Sequence, residues 1–315
     1  MKHALIIGHT GQDGTYLFSL LENLGYAVTG ISSKEVKSPI SLNSKIDILN
    51  EREVTELIRE IQPCEIYYLA AVHQSATEQH TNESELFKSS FNINVFGLLN
   101  VLNAVAKHSS ASKIFYAASS HVFGDNSDNF QTEETPFKPV CVYGISKSTA
   151  IQSIDYFINQ HKIYCSVGYL YNHESPLRAE KFVSKKIVKT AIAISNDSSI
   201  KLFLGDLSAK IDWGYAPDYV NAMHKILQLD NPDKFIISSG VQHTVKDFVE
   251  EVFALLGLNW EDYVQEIPGL LIKKQKRNLK GDSSKLKKLT GWQPSVDFKE
   301  MIHILVDSEL SKHGK

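Results

Sequence analysis

The chain has little that would mark a metalloprotein, a membrane protein or a nucleic-acid binder. Of its 315 residues only three are cysteine, Cys64, Cys141 and Cys165, and none stands at Cys-x-x-Cys spacing. That argues against a disulfide scaffold or a zinc knuckle and suggests reduced thiols in a cytoplasmic protein. The 12 histidines show no His-x-x-x-His spacing beside an acidic partner, so no metal site is expected. No apolar run approaches the ~20 residues of a membrane span, and the N-terminus enters a strand-like segment with no secretory leader. Charge of either sign is also scarce in net terms: 33 Lys and Arg stand against 36 Asp and Glu, leaving −3. Neither nucleic acid nor a membrane surface is implied as a partner. What remains is a globular composition, 43% hydrophobic and 22% charged. The length suits one large or two intimately joined domains with ample core.

Residues 2–7 are short, apolar and β-branched, the pattern of a buried parallel strand. Gly8-His9-Thr10-Gly11-Gln12-Asp13-Gly14 follows at once, and residues 15–24 have helical apolar spacing. A strand, a glycine turn and a helix in that order form a dinucleotide cradle. The glycines admit the pyrophosphate, and the helix N-terminus faces its charge. Residues 27–31 form a second strand that runs into Ser32-Ser33-Lys34. A basic residue there suits a 2′-phosphate, which favours NADP and leaves NAD open. A third strand is expected to end at Asp47-Ile48, where an adenine could pack. Residues 51–61 read as a helix broken by Pro63. Residues 65–71 read as a fourth strand, whose end Leu69-Ala70-Ala71 leaves room for a ribose.

Residues 73–87 read as a loop and half-helix over the site, and 91–107 as an amphipathic core helix. Residues 113–118 are a fifth strand with Ser119-Ser120-His121 at its C-terminal end, where side chains face the ligand crevice. A polar loop at 125–139 precedes a helix over 143–159, and 163–170 is a sixth strand. This β-α alternation predicts a Rossmann-type, doubly wound parallel sheet of the α/β class. Beyond Tyr171 the rhythm changes. Turns are expected at 172–176 and 212–214, helices at 181–194, 218–229, 245–256 and 297–310, and strands at 200–205 and 235–238. The division expected is a cofactor domain over 1–171, with sheet and helix returns around 205–238. A smaller α/β substrate lobe takes 172–204 and 239–315.

The chemistry centres on Tyr143-Gly-Ile-Ser-Lys147. On a helix, residues four apart share a face, so the lysine ammonium stands beside the phenol. A nearby cation favours the phenolate. The pair can then take the proton of an alcohol while a cofactor takes its hydride. Ser119 can orient the same oxygen.

These residues resemble the extended short-chain dehydrogenase/reductase family, and within it the GDP-mannose 4,6-dehydratases. The resemblance runs nearly end to end. It rests on Gly8-His-Thr-Gly-Gln-Asp-Gly14, Leu69-Ala-Ala71, Tyr143-x-x-x-Lys147, Asn172-His-Glu-Ser-Pro176, Phe182-Val-Ser-Lys-Lys-Ile187, Leu204-Gly-Asp-Leu207, Asp212-Trp-Gly214 and Gly291-Trp-x-Pro294. It implies a lyase that oxidises C4 of a nucleotide-linked hexose with bound NADP, removes the C5 proton, expels water from C6 and returns the hydride there. Ser119 would bind the C4 oxygen, and Tyr143 and Lys147 would be catalytic. His173 would join the cofactor site. Asn172, Val183, Lys186, Lys210 and Lys273 would hold the substrate, a lysine offering its diphosphate a point charge.

The departures concern the base. Where the dehydratases carry a glutamate two past the C4-oxygen ligand, this chain has His121. An imidazole titrating near ~6.5 can serve as a base. It can equally orient a substrate without moving a proton. Ile211 stands where an arginine is expected, and Lys273-Lys-Gln-Lys-Arg277 replaces a less basic stretch. Two enzymatic readings therefore stand: a dehydratase with His121 as base, and a C4 oxidoreductase or epimerase on a GDP-hexose or GDP-heptose. A non-catalytic sugar-nucleotide binder fits the intact Ser119, Tyr143 and Lys147 poorly. Helices 91–107 and 143–159 could pair across a two-fold, so a homodimer or homotetramer is expected.

Overall fold

The computed structural model describes residues 2–32, 46–73, 82–124, 130–269 and 279–312. Its frame is a six-stranded sheet of β1 (His3–Ile7), β2 (Ala27–Ile31), β3 (Glu65–Tyr68), β4 (Lys113–Ser119), β5 (Tyr164–Leu170) and β9 (Lys234–Ile237). The strands run in the order β2-β1-β3-β4-β5-β9. Every neighbouring pair is parallel. Parallel strands need covered faces, and each face here carries helices. On one side α2 (Glu51–Ile61), α4 (Gly97–His108) and α5 (Val142–His161) seal Leu5, Ile66, Tyr68, Ile114 and Tyr116 into a core. On the other, α1 (Gln12–Asn23), α7 (Ala216–Leu227) and Trp292 bury Ile6, Tyr67, Phe115 and Phe235. The doubly wound α/β class expected from the sequence is the class observed.

A third core lies beyond the sheet. There α6 (Val183–Asn196), α8 (Val245–Leu255) and α10 (Phe298–Lys312) enclose Ile187, Val188, Trp213, Phe248 and Met301. Two small sheets serve it: β6 (Asn172–Glu174), β8 (Lys210–Tyr215) and β10 (Gln242–Thr244), and β7 (Leu202–Leu204) with β11 (Val264–Glu266). The helix α9 (Ser284–Thr290) precedes Gly291-Trp292. Asp218 on α7 accepts from Ser295 Oγ at 2.5 Å and from the Ser295 and Val296 amides, and its carbonyl takes Trp292 Nε1. The closing Gly-Trp-x-Pro segment is thus fastened to a helix that packs on the large sheet.

Several expectations need correction. No strand forms at 46–48. Asp47 caps a turn by accepting the Leu49 amide at 2.9 Å, and Ile48 packs on α4, with Asn100 Nδ2 donating to its carbonyl. The remainder of that expected strand falls outside the described residues. The expected turn at 212–214 lies inside β8, and Asn172–Glu174 is a strand paired to it. Buried Asp212 is what makes this strand look like a turn in sequence. Its carboxylate accepts from Ser239 N, Ser239 Oγ, Gly240 N and Gly281 N. Burial still outweighs those bonds and pushes the carboxyl up to about 6.

The expected helix at 91–107 is the second half of a longer one, Glu83–His108, which by length and composition is apolar enough to cross a membrane. Half of it is buried in the protein, with Leu98, Val101, Leu102 and Val105 in the core against the sheet. Between α3 (Glu83–Phe91) and α4 it widens into a π-helical turn, Asn92–Phe96. Such a turn releases carbonyls from the helical ladder. Here Tyr68 Oη donates to Ile93 O at 2.5 Å and Tyr116 Oη to Asn94 O at 3.1 Å.

Candidate active site

The first part of the site is the turn between β1 and α1. Gly8 has φ +95°, and a Cβ on it would lie 2.7 Å from Ala70 N. A Cβ on Gly14 would lie 2.4 Å from Gly8 O and 2.5 Å from His9 Cα. Only glycines let this turn close against the end of β3 and against its own helix. Gly11 is the N-cap of α1 and no side chain caps that helix, so its first amides and its positive end are left for a ligand. Thr10 Oγ1 and Ser32 Oγ are 2.7 Å apart beside it. Both ring nitrogens of His9, which is 9% exposed, lack a partner among the described residues. Glycine cradle, uncapped helix and unsatisfied imidazole all fit a bound dinucleotide. Ser33 and Lys34, on which the choice of NADP rested, lie outside the described residues, as does Lys273.

The side chains of Gln12, Asp13 and His173 are tied to one another across the glycine turn. His173 Nε2 lies 3.0 Å from both carboxylate oxygens of Asp13, and Nδ1 lies 2.7 Å from Tyr171 O. Gln12 Nε2 donates to His173 O, and Gln12 Oε1 accepts from Ser175 Oγ at 2.8 Å. Both nitrogens of His173 are therefore spent on the protein, and its ring has none to offer a cofactor. It ties the glycine turn to the Asn172–Ser175 stretch. Burial opposes charge on both partners, but their mutual attraction and hydrogen bond win. His173 is raised above its ordinary value and Asp13 is lowered below its own.

The second part gathers at the C-terminal ends of β3 and β4. Ser119 closes β4 and is followed by a single 3₁₀ turn, Ser120–Val122, that carries His121. Ser119 Oγ accepts the His121 amide at 3.3 Å. Helix α5 starts alongside. A Cβ on Gly144 would lie 2.5 Å from His121 O, so glycine there sets how closely the helix meets this turn. The ring of Tyr143 is 5.7 Å from that of His121. Lys147, fully buried, donates from Nζ to Ala117 O at 2.6 Å, its one oxygen partner among the described residues. An ammonium has three donors, so two remain for a ligand such as a ribose.

In the protein alone, burial works against the expected ammonium-assisted phenolate. Lys147 Nζ sits 4.5 Å from the Tyr116 ring centroid and 5.7 Å from that of Tyr143. Burial lowers Lys147 to about 7. Burial also raises the Tyr143 phenol well above its ordinary value, against the opposing hydrogen bond from Ser119. Loss of water outweighs the attraction across that gap, so burial disfavours the charged form of each group.

Three neighbours escaped the sequence reading. His73, just past β3, has its ring 4.8 Å from Tyr143, 5.9 Å from His121 and 5.3 Å from Phe182. Asn94, fully buried in the π-helical turn, donates to Ser146 Oγ at 2.9 Å and accepts the Val72 amide, joining the end of β3 to α5. Cys141 caps α5 and touches His121. Its place two residues before Tyr143, at a helix start, was the available signal. Of the expected substrate residues, Asn172 opens β6 and Val183 opens α6. Exposed Lys186 donates to Phe203 O at 2.6 Å, and exposed Lys210 begins β8. Two further lysines of α6 are paired. Lys185 meets Glu309 at 2.7 Å, and Lys189 pairs with Glu180.

A family model described as GDP-mannose 4,6 dehydratase matches residues 5–305. The chain belongs to that family. It is 34% identical over 331 residues to "GDP-mannose 4,6 dehydratase 1" of Arabidopsis thaliana, covering 98% of this chain and 90% of that one. It is 32% identical over 344 residues to the GDP-mannose 4,6 dehydratase of Homo sapiens, covering 98% and 91%. Among solved structures it superposes on the UDP-glucose 4-epimerase of Thermotoga maritima with UDP-glucose at a TM-score of 0.86. The identity is 20%, with 99% of each chain covered. The dTDP-glucose 4,6-dehydratase of Bacillus anthracis in complex with NAD gives 0.85 at 19% identity, covering 100% and 98%. At such identity those two speak for the fold alone.

Proposed function

We propose that the protein is a nucleotide-sugar 4,6-dehydratase that acts on a GDP-hexose through transient oxidation at C4, with NADP as cofactor and His121 as the base at C5. The observation that carries this is the convergence of Ser119, His121 and Tyr143 at the end of β4 beside buried Lys147. When bound, an oxidised nicotinamide would take the C4 hydride, return it at C6 and lend positive charge to a pocket that otherwise keeps Tyr143 protonated. Once that charge lets Tyr143 release its own proton to solvent, its phenolate Oη takes the C4 hydroxyl proton, with Ser119 Oγ orienting that oxygen. Lys147 binds and holds the phenolate side of the pocket through its remaining donors. With C4 a ketone, the C5 proton becomes acidic; His121 removes it and passes a proton to the C6 hydroxyl, which leaves as water, and a proton from solvent returns to C5 as C6 is reduced. Asn172, Lys186 and Lys210 would meet the nucleotide diphosphate.

A specific observation favours a second reading. A histidine two past Ser119, in place of a carboxylate, suits C4 redox or epimerase chemistry without loss of water. Incubation with GDP-mannose and NADP separates the two. A product lighter by one water with no net absorbance of reduced nicotinamide supports the dehydratase. Reduced nicotinamide accumulating with no water loss supports the oxidoreductase. Exposed Phe96 and Tyr156, on the helical run 83–108 and on α5, suit pairing of these helices in a cytoplasmic homodimer. Sedimentation at micromolar concentration tests it: a dimer is expected, and a monomer refutes it.

A further inference from the structure

Lys147 carries its amine into the core with one oxygen partner among the described residues, Ala117 O at 2.6 Å. Its other close neighbour is a ring. Nζ lies over Tyr116, 4.5 Å from the centroid, nearer than the 5.7 Å to Tyr143. Tyr116 belongs to β4 and is itself fully buried, so the contact is closed to solvent. A cation over an aromatic ring is drawn to the negative face of its quadrupole, and the attraction grows when the partners are desolvated. It acts on the charge as a whole, so the remaining donors of the ammonium stay available to a ligand.

The ring is held where it is. Tyr116 Oη donates to Asn94 O at 3.1 Å, inside the π-helical turn, and Tyr68 of β3 packs on the ring with centroids 5.8 Å apart. Asn94 Nδ2 donates to Ser146 Oγ at 2.9 Å, and Ser146 precedes Lys147 on α5. Ring and amine are thus both referred to Asn94. Burial raises the Tyr116 phenol well above its ordinary value, so the ring meets Lys147 as a neutral phenol and not as a counter-ion. The titratable groups here are Tyr116 of β4 and Tyr143 of α5 around the amine, with Tyr68 of β3 and Cys165 of β5 acting on Tyr116.

We propose that Tyr116 is a positioning residue whose ring seats the Lys147 ammonium, fixing Nζ beside Tyr143 and favouring the charged form of the amine in a site closed to solvent. Its service to catalysis rests on hydride transfer through Tyr143 and Lys147, which both readings above share; the seat itself does not.

The test uses the full chain labelled with 15N-lysine, without substrate or cofactor, as wild type, Tyr116→Phe, Tyr116→Met and Tyr116→Leu. The Nζ resonance of Lys147, assigned by its loss in Lys147→Met, is followed against pH. Tyr116→Phe keeps the ring, so Lys147 should titrate close to its wild-type value. Tyr116→Met and Tyr116→Leu fill the space without a π-system, and in each Lys147 should lose its proton about one pH unit lower. In the wild type alone, the Lys147 protons next to Nζ should be shifted upfield by the Tyr116 ring, a readout that stands even if neither aliphatic variant folds. With GDP-mannose and NADP above neutral pH, Tyr116→Met should lower kcat by up to about tenfold at unchanged KM, and Tyr116→Phe should keep most of it. An unchanged Lys147 titration in the aliphatic variants, an equal change in Tyr116→Phe, or no upfield shift in the wild type overturns the proposal. If the wild type turns over no GDP-hexose, the reading above fails, and the titration of Lys147 still decides whether Tyr116 seats it.

Discussion

Asp13 and His173 are joined across 160 positions of sequence by an ion pair, with Nε2 of the histidine 3.0 Å from each carboxylate oxygen. One stands in the first turn of α1, the other in β6. The pair fixes the glycine cradle against the segment expected to hold the substrate, so that cofactor and substrate sites share one strut. Ring stacking of His173 on Tyr219 at 4.6 Å supports it from α7.

Breaking one side of the strut should be costly. His173→Gln leaves a largely buried carboxylate without its imidazolium, keeping only the hydrogen bond from Gln12 Nε2 at 3.2 Å, and such losses run to about 3–5 kcal/mol. Urea unfolding measures it, and His173→Gln combined with Asp13→Asn should recover part of the loss. The pH dependence has a definite sign. His173 is raised, so its share is complete below 6.5 and is lost as pH rises through its folded value. Asp13 is lowered, so its share is complete above 3.8 and is lost as pH falls through its folded value. The gap in stability between wild type and His173→Gln should therefore be widest at mildly acidic pH and narrow as pH rises through the folded value of His173.

Lys147 should oppose stability and favour chemistry. Its folded value, about 7, lies below the ordinary 10.5, so the unfolded chain binds the extra proton between those limits. The cost is full below about 7 and relieved as pH rises toward 10.5. Lys147→Met should raise the Tm at pH 6, with the advantage shrinking by pH 9, and should lower kcat by about 10²–10⁴. Calorimetry at the two pH values checks the first, and an advantage that grows with pH would contradict it.

Gly14→Ala should disable the cradle without touching a catalytic group. The added methyl would meet backbone at 2.4–2.7 Å on two sides. Overpacking against backbone costs about 1–3 kcal/mol, and the turn must open to accommodate it. Nicotinamide dinucleotide affinity by calorimetric titration should fall at least about tenfold. Gly25→Ala, at φ +79° with open space around it, should lose only stability.

How much of this was legible in sequence depends on the reach of each interaction. The alternation of short β-branched runs with amphipathic helices announced the parallel sheet. The glycine turn and Tyr143/Lys147 are local patterns and were found where expected. The strands β10 and β11 are three residues each, too short for periodicity to register. Asp212 and Gly214 read as a turn because the four donors that satisfy the carboxylate come from 239–240 and 281. Nothing nearby in sequence reveals that Asp13 takes Nε2 of His173. Spacing brought Tyr143 and Lys147 to one helix face but not their solvation, and burial opposes the ionisation expected of the pair. His73 came from a segment read only as polar, brought to Tyr143 by the end of β3.

The central claim is that His121 removes the C5 proton, and solvent exchange at that carbon tests it most directly. With GDP-mannose and NADP in heavy water, mass spectrometry of the wild-type product should show one deuterium at C5 and the loss of one water. His121→Ala should show neither, while still forming the C4 ketone. Deuterium at C5 appearing at the wild-type rate in His121→Ala would contradict the account.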